Sequence, residues 1–572
     1  MVDTQVTRTG GPLTSWDQVD WSRVDKEVRR LRRRIFAASQ RKNWKALKGL
    51  QKLMLSCMAN VLWAIRQVTQ VNQGRFTPGI DHAIIFDDQT RVAVANWLAE
   101  VLPGKVKAKP VRRVYIPKKN GKRRPLGIPV IIDRIVQAVV KNALEPEWEA
   151  RFAPDTYGFR PGRGAHDAID AIWMRTNGKN LRLWVLDADL KAAFDHVDHD
   201  FLLNQLAGFP AKPLIAKWLK AGVIENGLLT PTLEGVPQGG VISPLLLSIT
   251  MHGLEQAAGV ERYPKGTKKD QVRSGLPVVI TYADDLVCLC YSRQQAEQVK
   301  TRLTGWLAAR GLAFNEDKTR IVNIKDGFDF LGFNIRKYSN QKTIIKPSHD
   351  AIVRIRQRLR GEVKACHGAN AAVIIAKLGP IIKGWASYYH TVVSKATFAG
   401  LDHYLFWLLF GWAKRAHPTK PVQWRNQRYF GQFCSTRQDR WVFGDQTTGY
   451  YLRRFEWTPI KRHVKVEGRA SPDDPALIDY WNTRHGHIPT PIQGWTRHLL
   501  STQQGYCPKC GQLLLYADAP PSTASEWEQW YKSIKIARRK NGLVLTDEPN
   551  TRPQLIHTKC TPVKPCSPLE LA

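Results

Sequence analysis

A chain of 572 residues is longer than one hydrophobic core usually serves, so roughly two to four domains are expected. Its apolar fraction of 43% is ordinary for a globular protein, but 86 Lys and Arg against 49 Asp and Glu leave a charge of +37. That imbalance calls for a polyanionic partner, nucleic acid first and an anionic membrane surface second, and no apolar run reaches the roughly 20 residues that span a bilayer.

The richest apolar run, Tyr404 to Trp412, is short and is followed by Lys414 and Arg415. Met1 to Trp16 lacks a charged start followed by an apolar block, so no signal peptide is read there. Nine cysteines, scattered except near the C-terminus, form no secreted disulfide framework, and a reducing intracellular setting is expected. The 20 Trp and 16 Tyr, mixed among Arg and Lys, suit stacking on unpaired bases, although most such rings belong to cores.

Residues 1–15 are polar, contain Gly10-Gly11-Pro12, and are expected to be disordered. From Trp16 to about Val71 the pattern is helical. Between Arg23 and Lys52 twelve Lys and Arg face two acids, Asp25 and Glu27, while Leu31, Ile35, Leu47, Leu50, Leu53 and Met54 supply apolar faces. This is either a solvated helical hairpin or a nucleic-acid-facing one, and charge density favours the second. Phe76 to Asp81 reads as a turn, followed by a helix from Asp88 to Leu102. Lys105 to Arg124 holds ten basic residues in twenty and no acid. Within it Val111 to Pro117 alternates as a strand, Asn120-Gly121 builds a hairpin tip, and Pro125 to Pro129 returns. Such a hairpin is either a solvated charge run or a flexible lid over a triphosphate.

Asp133 to Glu149 is expected to be a helix with Ile135, Val139, Ala143 and Leu144 inward. Tyr157 to Arg163 is a Gly/Pro loop with two arginines, leading into a helix from His166. Leu181 to Leu190 reads as a buried strand ending in Asp187 and Asp189, and Lys191 to Asp195 turns away. An acid at the end of a central strand is costly to desolvate unless a cation pairs with it. Asp195, His196, Asp198, His199 and Asp200 have the makings of a metal cluster, but Asp198 and Asp200 serve equally well as helix caps before Phe201, the reading preferred here.

Gly235 to Gly240 is a glycine loop opening a helix at Val241; its backbone can approach a ligand closely, and Gln238 can read a base edge or sugar. Leu276 to Cys290 forms a β-hairpin with Asp284 and Asp285 at its tip. Adjacent acids repel unless a divalent cation lies between them; a solvated turn is the alternative. A helix through Leu303 to Trp306, a turn from Gly311 to Thr319 presenting Lys318, and a strand from Phe330 to Ile335 follow. Ala351 to Lys364 is helical, with Ile352, Ile355, Leu359 and Val363 on one face and Arg354, Arg356, Arg358 and Arg360 elsewhere. Near the C-terminus, Cys507-Pro-Lys-Cys510 is a zinc-knuckle turn, and His557-Thr-Lys-Cys560 completes a tetrahedral set for Zn²⁺.

Taken in order, Arg112–Lys118, Arg124–Pro129, Tyr157–Arg163, Asp189–Asp195, Pro237–Gly239, Tyr282–Asp285 and Gly332–Phe333 resemble the motifs of a reverse transcriptase, specifically the protein encoded by bacterial group II introns. Leu378 to Tyr389, Leu401 to Leu405 and Trp412 to Pro418 resemble the same family's maturase segment. The resemblance implies a multidomain α/β plus α architecture, a right-hand polymerase with a helical thumb. Its layout would be a basic N-terminal helical extension (1–75), fingers and palm (76–345), thumb or domain X (346–419), a DNA-binding region (420–499) and a zinc-binding, degenerate HNH endonuclease-like segment (500–572).

By motif position Asp189, Asp284 and Asp285 would hold two Mg²⁺. Lys118, Arg124 and Lys318 would meet the dNTP, Phe194 would be the aromatic gate under its sugar, and Gln238 would lie beside the templating pair. The implied partners are group II intron RNA, target and primer DNA and dNTPs, with no membrane, in a bacterial cytoplasm and at the nucleoid when bound to target DNA. Two departures stand out. Gly511 to Ile556 contains no histidine and Cys560 is followed by Thr561, which implies a structural zinc remnant without strand cutting. Phe76 and His82 stand where the family has Arg and Gly.

Overall fold

Two basic helices, Trp21–Gln40 and Trp44–Ser56, and an apolar one, Met58–Arg66, form the N-terminal unit. Asp20 and Asn43 cap the first two by accepting from the Arg23 and Ala46 backbone N–H groups. Leu31, Ile35, Leu47 and Met54 are buried as their spacing predicts, but Leu53 is 49% exposed. Six residues beyond Leu47, at about 100° per residue, it has rotated off the buried stripe. Order also begins earlier than composition suggests: the Leu13 backbone exchanges two hydrogen bonds with the Asn96 amide, at 2.8 and 2.9 Å.

This computed structural model describes residues 12–486 except 103, 105, 118–122, 180–181, 265 and 435, and beyond them 503, 507–508, 543–545 and 554–557. The strands that frame the site are β1 (Val111–Pro117), β2 (Arg123–Ile128), β3 (Trp184–Asp189), β4 (Val223–Glu225), β5 (Leu228–Thr230), β6 (Val278–Tyr282), β7 (Asp285–Cys290) and β8 (Arg320–Asn323). One sheet has the order β2-β1-β4-β5, the other β6-β7-β3-β8. In the second sheet every pairing is antiparallel. Its two faces feed separate cores: Leu286, Cys288 and Cys290 of β7 join one, Val287 and Leu289 the other. A sheet covered on both faces needs apolar residues at every position, which is why these strands read as continuous apolar runs. The helix Arg293–Ala308 lies against β3 and β7, and the helix Ala165–Thr176 against β6.

A third sheet follows, made of β9 (Phe328–Phe330), β10 (Phe333–Lys337) and β11 (Thr343–Pro347). The single strand expected over Phe330 to Ile335 is therefore two. Leu331 and Gly332, at φ of +51° and +84°, form a tight turn that folds Phe330 opposite Phe333. The Tyr388 and Tyr389 hydroxyls donate to the two turn carbonyls at 3.1 and 3.2 Å. Those tyrosines end the helix Ala371–Tyr389, which packs with His349–Ala365 and Lys395–Ala416. In His349–Ala365 the side chains of Ile355, Leu359 and Val363 are buried, and Arg356, Arg358 and Arg360 are exposed.

His82 has φ of +53°, a left-handed backbone that glycine adopts without strain. No helix among the described residues is long and apolar enough to cross a membrane.

Candidate active site

The antiparallel register of β3 and β7 sets Asp189 directly opposite Asp285. Asp284 lies in the two-residue tip between β6 and β7, where Ala283 holds φ of +59°. The acids crowd one another. Loss of water, then the charges of Asp284 and Asp189, push the Asp285 carboxyl up to about 7. Burial also raises Asp284, opposed by its own backbone N–H and by Arg124 and Lys318. Behind them Asp187 is pushed up to about 6 by burial, with Arg320 Nη2 3.8 Å away.

The turn after the helix Arg293–Ala308 brings positive charge to this face. Lys318 Nζ lies 2.6 Å from Asp189 Oδ2. The Asn315 backbone N–H donates to the Asp189 carbonyl at 2.8 Å, and its amide Nδ2 donates to Oδ2 at 3.3 Å. Arg124, at the start of β2, is exposed and near enough to act on Asp284. Lys118 lies outside the described residues.

Hard carboxylate oxygens under mutual repulsion suit Mg²⁺. Among the described residues no three acid, histidine or cysteine side chains are gathered into a ready cage. Mg²⁺ is typically held by one or two carboxylates together with substrate phosphates, so Asp189, Asp284 and Asp285 fit that ion without such a cage.

Phe194 and Gln238, the other two residues expected at the nucleotide, lie on backbone that is knitted together. The Val236 N–H donates to the Phe194 carbonyl at 2.6 Å, and the Gly127 N–H of β2 to the Gln238 carbonyl at 2.7 Å. A side chain on Gly239, which has φ of +125°, would come within 2.9 Å of the Gly127 carbonyl, so only glycine lets these backbones meet. Gln238 Oε1 is buried with no hydrogen-bond donor among the described residues. Phe194 is 8% exposed.

Asp198 caps the helix His199–Gln205 by accepting from the Phe201 N–H, and His199 Nε2 bonds the Gly235 carbonyl at 2.7 Å. Asp198 thus caps the helix as the preferred reading had it, whereas Asp200 lies within the first turn and His199 braces the glycine loop. Of the zinc set, Cys507 is buried. Cys510, Cys560 and the His557 side chain lie outside the described residues.

Two contributors escaped the sequence reading. Asn315 sits three residues before Lys318 in the same turn, and its amide was the available signal. In the sequence the loop ahead of Ala165 shows two arginines and a family motif but no partners for them. In fact Arg160 forms a buried fork with Glu149, at 2.9 Å for each contact. Arg163 donates to the Pro154, Gly468 and Ala470 carbonyls.

Family models match most of the described chain: a reverse transcriptase (RNA-dependent DNA polymerase) over residues 116–335, an N-terminal domain of reverse transcriptase over 16–98, and a group II intron maturase-specific domain over 352–430. Protein YkfC of Escherichia coli is 38% identical over 304 residues, covering 48% of this chain and 80% of that protein. The group II intron-encoded protein LtrA of Lactococcus lactis is 34% identical over 323 residues, covering 46% of this chain and 53% of LtrA. Among solved structures, telomerase from Candida albicans aligns at 12% identity and a TM-score of 0.31, over 57% of this chain and 66% of that one.

Proposed function

This chain belongs to the group II intron reverse transcriptase/maturase family, and from that premise we propose that it copies intron RNA into DNA during retrohoming and assists splicing of the same RNA. The observation that carries the polymerase reading is the placement of Asp189 opposite Asp285, beside Asp284, with Lys318 on the Asp189 carboxylate.

In this reading the sheet β6-β7-β3-β8 is the palm, the β1–β2 hairpin belongs to the fingers, and the helices from His349 to Ala416 form the thumb. Asp189 and Asp284 would hold two Mg²⁺ with Asp285 as the more auxiliary acid. When bound, these ions supply activation of a primer 3′-hydroxyl and neutralise the departing pyrophosphate. Lys118 and Arg124 close over the triphosphate. Lys318 leaves Asp189 as substrate arrives and turns its charge to the phosphates. Phe194 supports the sugar and excludes a 2′-hydroxyl, and Gln238 Oε1 finds its donor on the incoming pair. Extension of a DNA primer on an RNA template with Mg²⁺ and dNTPs tests this. No extension by the parent, or undiminished extension by Asp284→Asn, would sink it.

The maturase half rests on the arginines that flank the buried stripe of the helix His349–Ala365. Splicing of the intron RNA should survive Asp284→Asn and fail when Arg354, Arg356 and Arg358 are neutralised together. Residues 420–499 are proposed to contact target DNA. The segment after residue 500 is proposed to hold a structural Zn²⁺ without cutting DNA. Metal analysis of the whole chain and its Cys507→Ser variant checks the first point. Nicking of target DNA by the parent, lost in Cys507→Ser, would overturn the second.

A further inference from the structure

We propose that Phe159 is a specificity-determining residue of the nucleotide pocket, its ring bracing Phe194 so that rejection of a 2′-hydroxyl depends on both rings. The inference rests on the polymerase reading above.

The loop bearing Phe159 is fastened to the acidic hairpin. The Tyr157 N–H donates to the Thr281 carbonyl at 2.9 Å, and the Thr281 N–H to the Asp155 carbonyl at 3.1 Å, which makes Thr156 a parallel partner of Thr281 on the edge of β6. The next residue, Gly158, lies flat on the hairpin tip. A Cβ there would sit 2.0 Å from the Ala283 nitrogen, so no side chain fits between loop and tip.

Both residues at this contact hold unusual backbone. Phe159 has φ of +61° and Ala283 φ of +59°, a region that bulky side chains rarely occupy. Surrounding structure enforces it. Arg160 grips Glu149 through two contacts and also donates to the Ala153 and Thr156 carbonyls at 2.8 and 3.0 Å. The Arg160 and Glu149 side chains are each 1% exposed, so this clamp is deep and rigid.

The consequence is the position of one ring. Phe159 is left 42% exposed, while its ring meets that of Phe194 with centroids 6.1 Å apart and planes at 72°. That is the edge-to-face geometry aromatic pairs prefer. If packing alone governed this residue, it would be buried. Strained backbone instead presents it at the surface, against the ring proposed to sense the sugar. Phe194 is packed into the core on its buried side and its carbonyl is tied to the glycine loop, and Phe159 meets its ring from the loop that is fastened to the hairpin.

The test is single-nucleotide addition by the full chain on an RNA template with a DNA primer, comparing a dNTP with the matching rNTP. Phe159→Ala should raise KM for the dNTP, leave kcat within about threefold, and lower the dNTP-over-rNTP preference about tenfold, the scale of one lost apolar pocket contact. Phe159→Tyr should restore the preference, and Phe159→Leu serves as second probe if the alanine variant is poorly folded. Equal slowing with both nucleotides, at unchanged preference, would reduce the ring to a loop anchor and overturn the proposal. A raised KM for primer–template at unchanged preference would make it a strand contact and overturn it as well. Phe194→Ala separates the levels. If that variant keeps full preference, the gate reading itself fails; if it loses preference while Phe159→Ala keeps it, only the present inference fails.

Discussion

Lys318 Nζ sits 2.6 Å from Asp189 Oδ2, so one of the three clustered acids is paired with a cation of this chain. The lysine side chain is 61% exposed on a flexible stem, and in the proposed reaction it leaves Asp189 for the triphosphate. Lys318→Met should therefore cut kcat/KM for dNTPs about 10- to 100-fold, with primer binding unchanged, as expected for loss of one positive group facing phosphates. Steady-state incorporation kinetics together with primer–template affinity check this. An unaltered kcat/KM would confine Lys318 to a structural pairing.

Gly158→Ala should disable the polymerase from outside its acids. The added methyl group meets backbone atoms of Ala283, which cannot move without shifting Asp284. Overpacking of this kind destabilises by about 1–3 kcal/mol, and here the displaced element is the hairpin proposed to carry catalysis. Primer extension should fall by more than about tenfold, while intron RNA binding stays near parental. Full extension by Gly158→Ala would show that the loop and tip separate freely.

Arg32 joins parts of the chain 441 residues apart. Its guanidinium contacts Asp473 at 2.7 Å, Glu145 at 2.8 Å and the Asn142 amide oxygen at 2.9 Å. Arg32 and Asp473 side chains are only 12% and 8% exposed. Removing one partner of such a buried pair typically costs about 3–5 kcal/mol, because the other charge is left uncompensated. Glu145 remains beside Arg32, so Asp473→Ala should fall near the low end, about 3 kcal/mol. Denaturant unfolding measures it, and a loss under 1 kcal/mol would mean that water reaches Arg32.

Local signals explain what the amino-acid sequence disclosed. The strand Val111–Pro117, the cap at Asp198 and the hairpin with Asp284 at its tip are each set by residues within a few positions of one another. The features that stayed hidden depend on distant partners. The break at Leu331-Gly332 looked like continuous strand because its turn carbonyls are satisfied by Tyr388 and Tyr389, 57 residues away. Arg32 resembled its solvated neighbours until Asp473 was placed beside it. Phe159 lay in a loop whose glycine, proline and arginines signalled a turn, and nothing local reveals that Ala283 and Phe194 border it.

Acid should weaken the protein through histidines that burial keeps neutral. His166 Nε2 donates to the Tyr388 carbonyl at 2.7 Å, tying the helix Ala165–Thr176 to the helix Ala371–Tyr389. Burial first, and then the neighbouring His463, push its imidazole down to about 4. His252, half-buried against Trp148 near Arg151, is likewise pushed down to about 4. An unfolded histidine titrates near 6.5, so between about 6.5 and 4 the unfolded chain binds more protons than the folded one. This stability is thus fully present above about 6.5 and is lost as pH falls toward about 4. Asp402, raised by burial to about 6, acts in the opposite sense, since its contribution is lost as pH rises through that value. The comparison must therefore be between parent and variant. In thermal scans from pH 7.5 to 4.5, His166→Gln should lose less Tm than the parent on acidification. Parallel curves for the two proteins would mean that His166 is protonated in the folded state, against the burial that surrounds it.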